Sequence, residues 1–235
     1  PEITSVLLTS TVKYNTSGTT KSSDTLKSEI INAISSYNTN TLQKFDSIYR
    51  HSRLTGIIDG VDNSILSNIT IVKIRKSFTP TILSSTKYAI YFRNALFNPH
   101  AGHNMAAGGI LSSTGFKVDG NDNEMFLDDD GSGNVRRYYL QSGIRTYVNS
   151  TQGTIDYSNG EIIINSLNIA SISNIRGVTS TVVELTITPL SNDVVPVRDQ
   201  IVEIDISNSN ITVTADTFVG GSADAGVGYT TTSSY

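Results

Sequence analysis

The chain has no cysteine. That excludes a disulfide framework, a thiolate-held zinc and a cysteine nucleophile, and leaves the redox compartment open. It has no tryptophan, which counts against a lectin-like site that stacks sugars on exposed aromatics. Charge is scarce, with Asp, Glu, Lys and Arg at 16% and a net charge of −4. The high net charge that keeps a chain disordered is therefore missing. No apolar run approaches the roughly 18–20 residues of a membrane-spanning helix. The opening residues lack the pattern of a signal peptide, and a start at Pro1 rather than Met reads as a fragment or a processed product.

Ser, Thr and Asn fill the space left by a hydrophobic content of 37%. With abundant β-branched residues, this fits a β-rich protein with uncharged polar surfaces. A chain of 235 residues has room for one large or two small domains with a real core. Charge is split unevenly. Residues 1–80 hold nine Lys/Arg against six Asp/Glu, and residues 81–235 hold eight against fifteen. The split suggests two regions with different surfaces.

LLTSTVKY (Leu7–Tyr14) alternates apolar and polar side chains and predicts a half-buried strand. Asn15–Ser23 reads as a turn around Gly18. The period then changes. Leu26, Ile30, Ala33, Ile34 and Tyr37 form one face of a helix from about Asp24 to Tyr37, ended by Asn38–Thr41. Leu54, Ile57, Ile58 and Val61 predict a second helix from about Ser47 to Gly60, weakened at Gly56. NITIVKIR (Asn68–Arg75) is a strongly β-branched strand. The first region therefore reads as β-α-α-β.

After Pro80 short alternating runs are split by Gly, Asn and Asp. They fall at Tyr88–Phe92, Ile110–Val118, Glu124–Leu127, Val135–Gln141, Arg145–Val148, Thr154–Tyr157, Glu161–Ile164, Thr181–Thr188, Gln200–Ile206 and Ile211–Ala215. The Asn159–Gly160 pair marks a hairpin. The expected fold is α+β: a small β-α-α-β domain over residues 1–80, then a mainly antiparallel, sandwich-like or barrel-like β domain over 81–217. A Gly/Ser/Thr-rich tail, 218–235, follows.

The nearest thing to a chemical motif is DDDGSGN (Asp128–Asn134). A calcium-binding EF-hand loop needs a Glu at its twelfth position and flanking helices. Here the twelfth residue is Tyr139 and the flanks are strands. The stretch reads as a polar hairpin tip, with a weak cation site as the alternative. His100 and His103 lie in a loop marked by Pro99 and Gly102, without a third metal ligand nearby in sequence. Lys73, Arg75 and Lys76 form a small basic run. It reads as a charge-protected sheet edge or as a contact for an acidic patch on a partner. A pI near 5.3 counts against nucleic acid as that partner. No phosphate loop, dinucleotide fingerprint or nucleophile elbow is present. The expectation is a non-enzyme without cofactor or metal. Lys73, Arg75, Lys76, Asp128, Asp129 and Asp130 are its candidate partner contacts.

Leu7–Pro80 resembles a known family. The resemblance rests on LLTSTVKYN, on DTLKSEIINAISSYNTNTLQKFDSIYRHSRL, and above all on IIDGVDNSILSNITI running into the strand. This order is similar to the baseplate wedge protein of T-even-like contractile-tailed phages, in the baseplate J-like group. The resemblance covers about a third of the chain and implies a carboxyl-terminal part of a longer wedge protein. It implies a non-enzymatic virion component of the tail baseplate, assembled in the host cytoplasm. That component pairs with a second copy, joins neighbouring wedges into a ring around the hub and binds other wedge proteins, with neither nucleic acid nor membrane as partner. A β-rich receptor-binding or carbohydrate-binding adhesin is the alternative. A metal-dependent hydrolase built on the Asp run or the histidines is a third.

Overall fold

A computed structural model describes residues 2–103, 109–197 and 199–216. The first strand, β1 (Glu2–Asn15), turns Thr4, Val6, Leu8, Ser10, Val12 and Tyr14 inward and Thr9, Thr11 and Lys13 outward. That is the two-residue period of a strand with one buried face. Helix α1 (Ser23–Tyr37) starts at an Oγ of Ser22 that accepts a hydrogen bond from the Thr25 amide. Such a cap satisfies one of the amides a helix leaves open at its start. Leu26, Ile30, Ile34 and Tyr37 bury one stripe of it.

The helix does not stop at Asn38 as the sequence predicts. It runs on as a wider π-type turn over Asn38–Leu42. The reason lies far along the chain. The Asn38 side-chain amide donates to the Ile204 carbonyl at 3.1 Å and accepts from the Ile204 amide at 2.8 Å. It acts as a one-residue strand partner. Helix α2 (His51–Asp59) is shorter than its apolar pattern. Tyr49 is held in a β-bridge to Val194, and the Asp193 carboxylate accepts from the His51 amide at 2.8 Å. The helix therefore starts only at His51.

The return strand β2 (Ile65–Phe78) pairs antiparallel with β1 from Ser5–Arg75 to Tyr14–Ile65. Inside the pair, the Ser10 and Thr70 hydroxyls face each other at 2.9 Å. The later strands are β3 (Ser85–Tyr91), β4 (Ser112–Ser113), β5 (Phe116–Val118), β6 (Asn121–Asp129), β7 (Asn134–Gln141) and β8 (Ile144–Asp156). They continue with β9 (Glu161–Ile172), β10 (Val183–Ile187), β11 (Gln200–Ile204) and β12 (Asn210–Asp216). The fold is mixed, with strands predominating over helices.

One expectation needs correction. The run from β1 to β2 does not complete a sheet of its own. It forms the middle of a six-stranded sheet in the order β11-β1-β2-β10-β4, with β12 also on β1. After Pro80 the pairing is mainly antiparallel, with two exceptions. β11 and β12 lie parallel to β1, end to end along one edge of it. The gap between them is closed when Ser209 Oγ accepts from the Leu8 amide. Parallel pairing needs a long crossover, and no local pattern in the sequence announces one.

The second sheet closes on itself. β9 pairs β5, β5 pairs β6, β6 pairs β7, β7 pairs β8, and β8 returns to β9. The result is barrel-like rather than sandwich-like, with β3 laid along β9. The two runs Arg145–Val148 and Thr154–Tyr157 are parts of one long strand, β8, whose pairing with β7 is irregular around Asn149–Gly153. One apolar core joins both sheets and the helices, from Val6, Ile30 and Ile58 to Phe116, Ile164 and Val202. The tail at 218–235 lies outside the described residues.

Lys21 ties the turn before α1 to the loop before β2. Its Nζ lies 2.8 Å from Glu29 Oε2 and 2.9 Å from Asp62 Oδ2. Hydrogen bonds from Lys21 and then Ser64 pull the Asp62 pKa down to about 2. A carboxylate depressed on folding stabilises above its unfolded value, near 3.9, and loses that contribution as the pH falls through the folded value. The Tm difference between the wild type and Lys21→Met is therefore expected to be full at pH 5 and to fade between pH 4 and pH 2. A difference that stays flat down to pH 2 would refute the linkage.

Candidate interaction surfaces

The basic run lies on β2, where alternate residues face opposite ways. Lys73 and Arg75 share the outer face, as the strand period predicts, and Lys76 faces inward. Lys76 is 4% exposed. Its Nζ donates at 2.6 Å to Glu2 Oε1 and at 2.6 Å to the Tyr91 carbonyl, tying the first sheet to β3. Burial lowers the pKa of the Lys76 ammonium, against the pull of Glu2. Arg75 is largely covered, and it bridges Asp205 and Glu184. Lys73 is exposed and has no carboxylate partner among the described residues. As partner contacts, Arg75 and Lys76 are corrected: both are spent inside the chain, and of the three only Lys73 has no carboxylate partner among the described residues.

DDDGSGN forms the end of the β6–β7 hairpin, and its three aspartates have three different tasks. Asp130 holds the turn. Its carboxylate accepts from the Ser132 amide at 2.8 Å, the Asn134 amide at 3.0 Å and Asn134 Nδ2 at 2.7 Å. Partial burial would raise its pKa, but the bonds from Asn134 and Ser132 hold it below the usual carboxylate range. Gly131 and Gly133 take the positive φ values, 73° and 101°, that this turn requires.

Asp129 faces inward and is fully buried. Its Oδ1 accepts from the Ile110 and Leu111 amides at 2.7 and 2.8 Å, and its Oδ2 from the Tyr157 hydroxyl at 2.6 Å. Asp128 faces the other way and is also fully buried, under Arg136 (Nε–Oδ1 2.9 Å), Arg145 (Nη1–Oδ2 2.6 Å) and Tyr147 (hydroxyl–Oδ2 2.7 Å). Burial pushes its carboxyl up, against the lowering pull of Tyr147, Arg136 and Arg145. Asp128 and Asp129 are therefore not surface contacts, which corrects that expectation. Of the three, only Asp130 stands at the hairpin end.

The cover over Asp128 was missed in the sequence reading. Phe126, Tyr138 and Tyr147 stand in register across β6, β7 and β8. The Phe126 and Tyr138 rings stack with centroids 5.7 Å apart. Arg136 lies 4.3 Å over the Tyr147 ring and Arg145 4.7 Å over Tyr138. Cation–π pairs of this kind contribute roughly 0.5–2 kcal/mol. The signal was present in VRRYYL, where Arg136 and Tyr138 fall on one face.

The two histidines meet. His103 Nδ1 lies 3.1 Å from His100 Nε2, with the rings edge to face and Phe97 against His103. Both are in the Asn98–His103 loop, while Asn104 and Met105 lie outside the described residues. Among the described residues, no group of three or more His, Asp or Glu is arranged to hold a metal ion.

On one face of the first sheet α1 packs against β12 and α2 against β2. The opposite face presents Thr9 and Thr11 on β1, Thr212 and Thr214 on β12, and Ile69, Ile71 and Lys73 on β2. Ile69 is 69% exposed and Ile71 54%. The strands β1 and β2 thus carry helices on one side and an open Thr/Ile face on the other.

Residues 3–77 match the family model for baseplate structural protein gp6, C-terminal domain III. The matched segment starts in β1 and ends in β2, so the gp6-like part is the run through both helices. It bears out the resemblance noted over Leu7–Pro80 and supports a structural role in a phage baseplate. The Ile69–Ile71 surface and Lys73 fall inside the gp6-like segment, whereas the Asp128 cluster and the histidines fall outside it. No curated protein matches the chain.

Proposed function

We propose that the chain is a structural, non-catalytic part of a contractile-tail baseplate: a wedge protein that self-associates and joins wedges into a ring around the hub. The observation that carries this reading is the match over residues 3–77. Its partners are a second copy of itself, neighbouring wedge copies and other wedge proteins, and it reaches the virion by assembly in the host cytoplasm. Two features support it. The first sheet leaves a Thr/Ile face uncovered by its helices, and wet interfaces with uncharged polar surroundings suit such faces. The charge along the sequence is also split, with a basic excess in residues 1–80 and an acidic excess beyond. Unlike regions of adjacent copies then attract, which makes a heterologous, ring-forming contact.

Light scattering across concentration and salt tests the reading. A dimer or larger species is expected at high concentration, with the ring-forming contact weakening as salt screens it. A monomer at every concentration and salt would overturn self-association by this chain.

A further inference from the structure

We infer that the open edge of β2 is the contact between two copies, an antiparallel β2–β2 pair about a two-fold axis at Ile69. The inference rests on the self-association proposed above and names its surface. Strand β2 is paired along one side by β1 from Ile65 to Arg75. Along the other side β10 covers only Ile74–Phe78. Among the described residues, no strand pairs the second side of Ile65–Lys73. Proteins defend such edges with charge, proline, bulges or brevity. This one has a register shift at its Ile65 end, no proline, and a single charge, Lys73, at its other end. Between them Leu66, Ile69 and Ile71 are exposed at 45%, 69% and 54%.

The register follows from the ends. β10 blocks one end at Ile74 and the irregular pairing of Ile65 with Tyr14 limits the other. A second copy that uses the whole open span in antiparallel fashion centres it on Ile69. Ile69 then faces Ile69 of the second copy, and Ile71 faces its Ser67. Charge permits this pairing. The lone cation, Lys73, falls opposite the uncharged Ile65, so the two lysines stand roughly 26 Å apart along the strands, at about 3.3 Å per residue. That exceeds the roughly 8–10 Å over which exposed charges repel at ordinary salt. The directly opposed Ile69 side chains and new main-chain hydrogen bonds then hold the pair.

The absence of native cysteine makes the test clean. In the full chain, Ile69→Cys is expected to form a disulfide-linked dimer under mild oxidation. Ile71→Cys is not, because its two copies lie about four residues apart along the strands, roughly 13 Å, beyond the about 7 Å a disulfide spans. Ile69→Lys is expected to weaken the dimer at least ten-fold by light scattering, with its Tm unchanged at concentrations where both proteins are monomeric. If the wild type dimerises, neither cysteine links and Ile69→Lys stays dimeric, the edge is overturned while self-association stands. Equal linking at both positions overturns the register. A wild type that stays monomeric, or a monomer whose Ile65–Lys73 amides are all protected from exchange by another segment, overturns both the contact and its surface.

Discussion

Gly153→Ala is expected to cost the chain about 3 kcal/mol or more, at the upper end of what inserting a single methyl into a packed interior does. Gly153 sits where β8 is paired on both sides, to Val135 of β7 and to Ile164 of β9. A Cβ built there would lie 1.9 Å from the Ile163 carbonyl oxygen and 2.9 Å from its carbon. The obstacle is backbone of the neighbouring strand, not the end of a side chain that could swing away. Relief requires β8 and β9 to part at the place where the barrel closes. For a chain of this size the loss reads as a fall in Tm of roughly 6–12 °C. Gly56→Ala is the counterpart. A Cβ at Gly56, inside α2, meets nothing within 4 Å, and the change is expected to stabilise by up to about 1 kcal/mol. Thermal melts of both variants decide the matter. If Gly153→Ala melts with the wild type, the close approach of β8 and β9 is not a constraint on the fold.

Local periodicity made the helices and most strands legible. Leu26, Ile30, Ile34 and Tyr37 are the buried stripe of α1, as their spacing predicts, because a helix must hide one face whatever it packs against. What the sequence hid was long-range. Asn38 looks like a helix stop, and its amide instead pairs with Ile204, 166 positions away. His51 starts α2 because Asp193 accepts its amide, and nothing near His51 says so. The parallel seats of β11 and β12 beside β1 are likewise invisible in runs that alternate like any edge strand. The aspartate run is a different case. A strand sends alternate residues to opposite faces, so the period alone assigns Asp129 inward with Met125 and Leu127. Reading Asp128 and Asp129 as surface contacts set that period aside. The fully buried Asp128 could be found only by also noticing the two arginines and two tyrosines able to cover it.

Asp129→Ala is the second large effect, expected to destabilise by about 3–5 kcal/mol, because a buried acceptor lost from several donors leaves each at a cost of about 1–3 kcal/mol. Three donors converge on this carboxylate: the Ile110 and Leu111 amides and the Tyr157 hydroxyl. The chain is shaped around it. Gly109 approaches at φ 80°, and a Cβ there would lie 2.0 Å from Asp129 Oδ1. Burial and then the Asp129 hydrogen bond push the Tyr157 pKa up, which keeps the phenol a donor at any ordinary pH. Asp129 thus pins two segments, the Gly109–Leu111 approach and the end of β8, to the barrel. Asp129→Asn separates shape from charge. Its amide oxygen can still accept from both backbone amides, and the Tyr157 hydroxyl can turn to accept from the new NH2. The expected loss is then about 1–2 kcal/mol, the difference between a charged and a neutral acceptor. Hydrogen exchange adds a local readout, since the Ile110 and Leu111 amides are expected to lose protection in Asp129→Ala and to keep most of it in Asp129→Asn. Asp130→Ala, at the partly exposed hairpin end, is the reference and is expected to cost less than either. If Asp129→Ala is no less stable than Asp130→Ala, the buried carboxylate is not what holds these segments together.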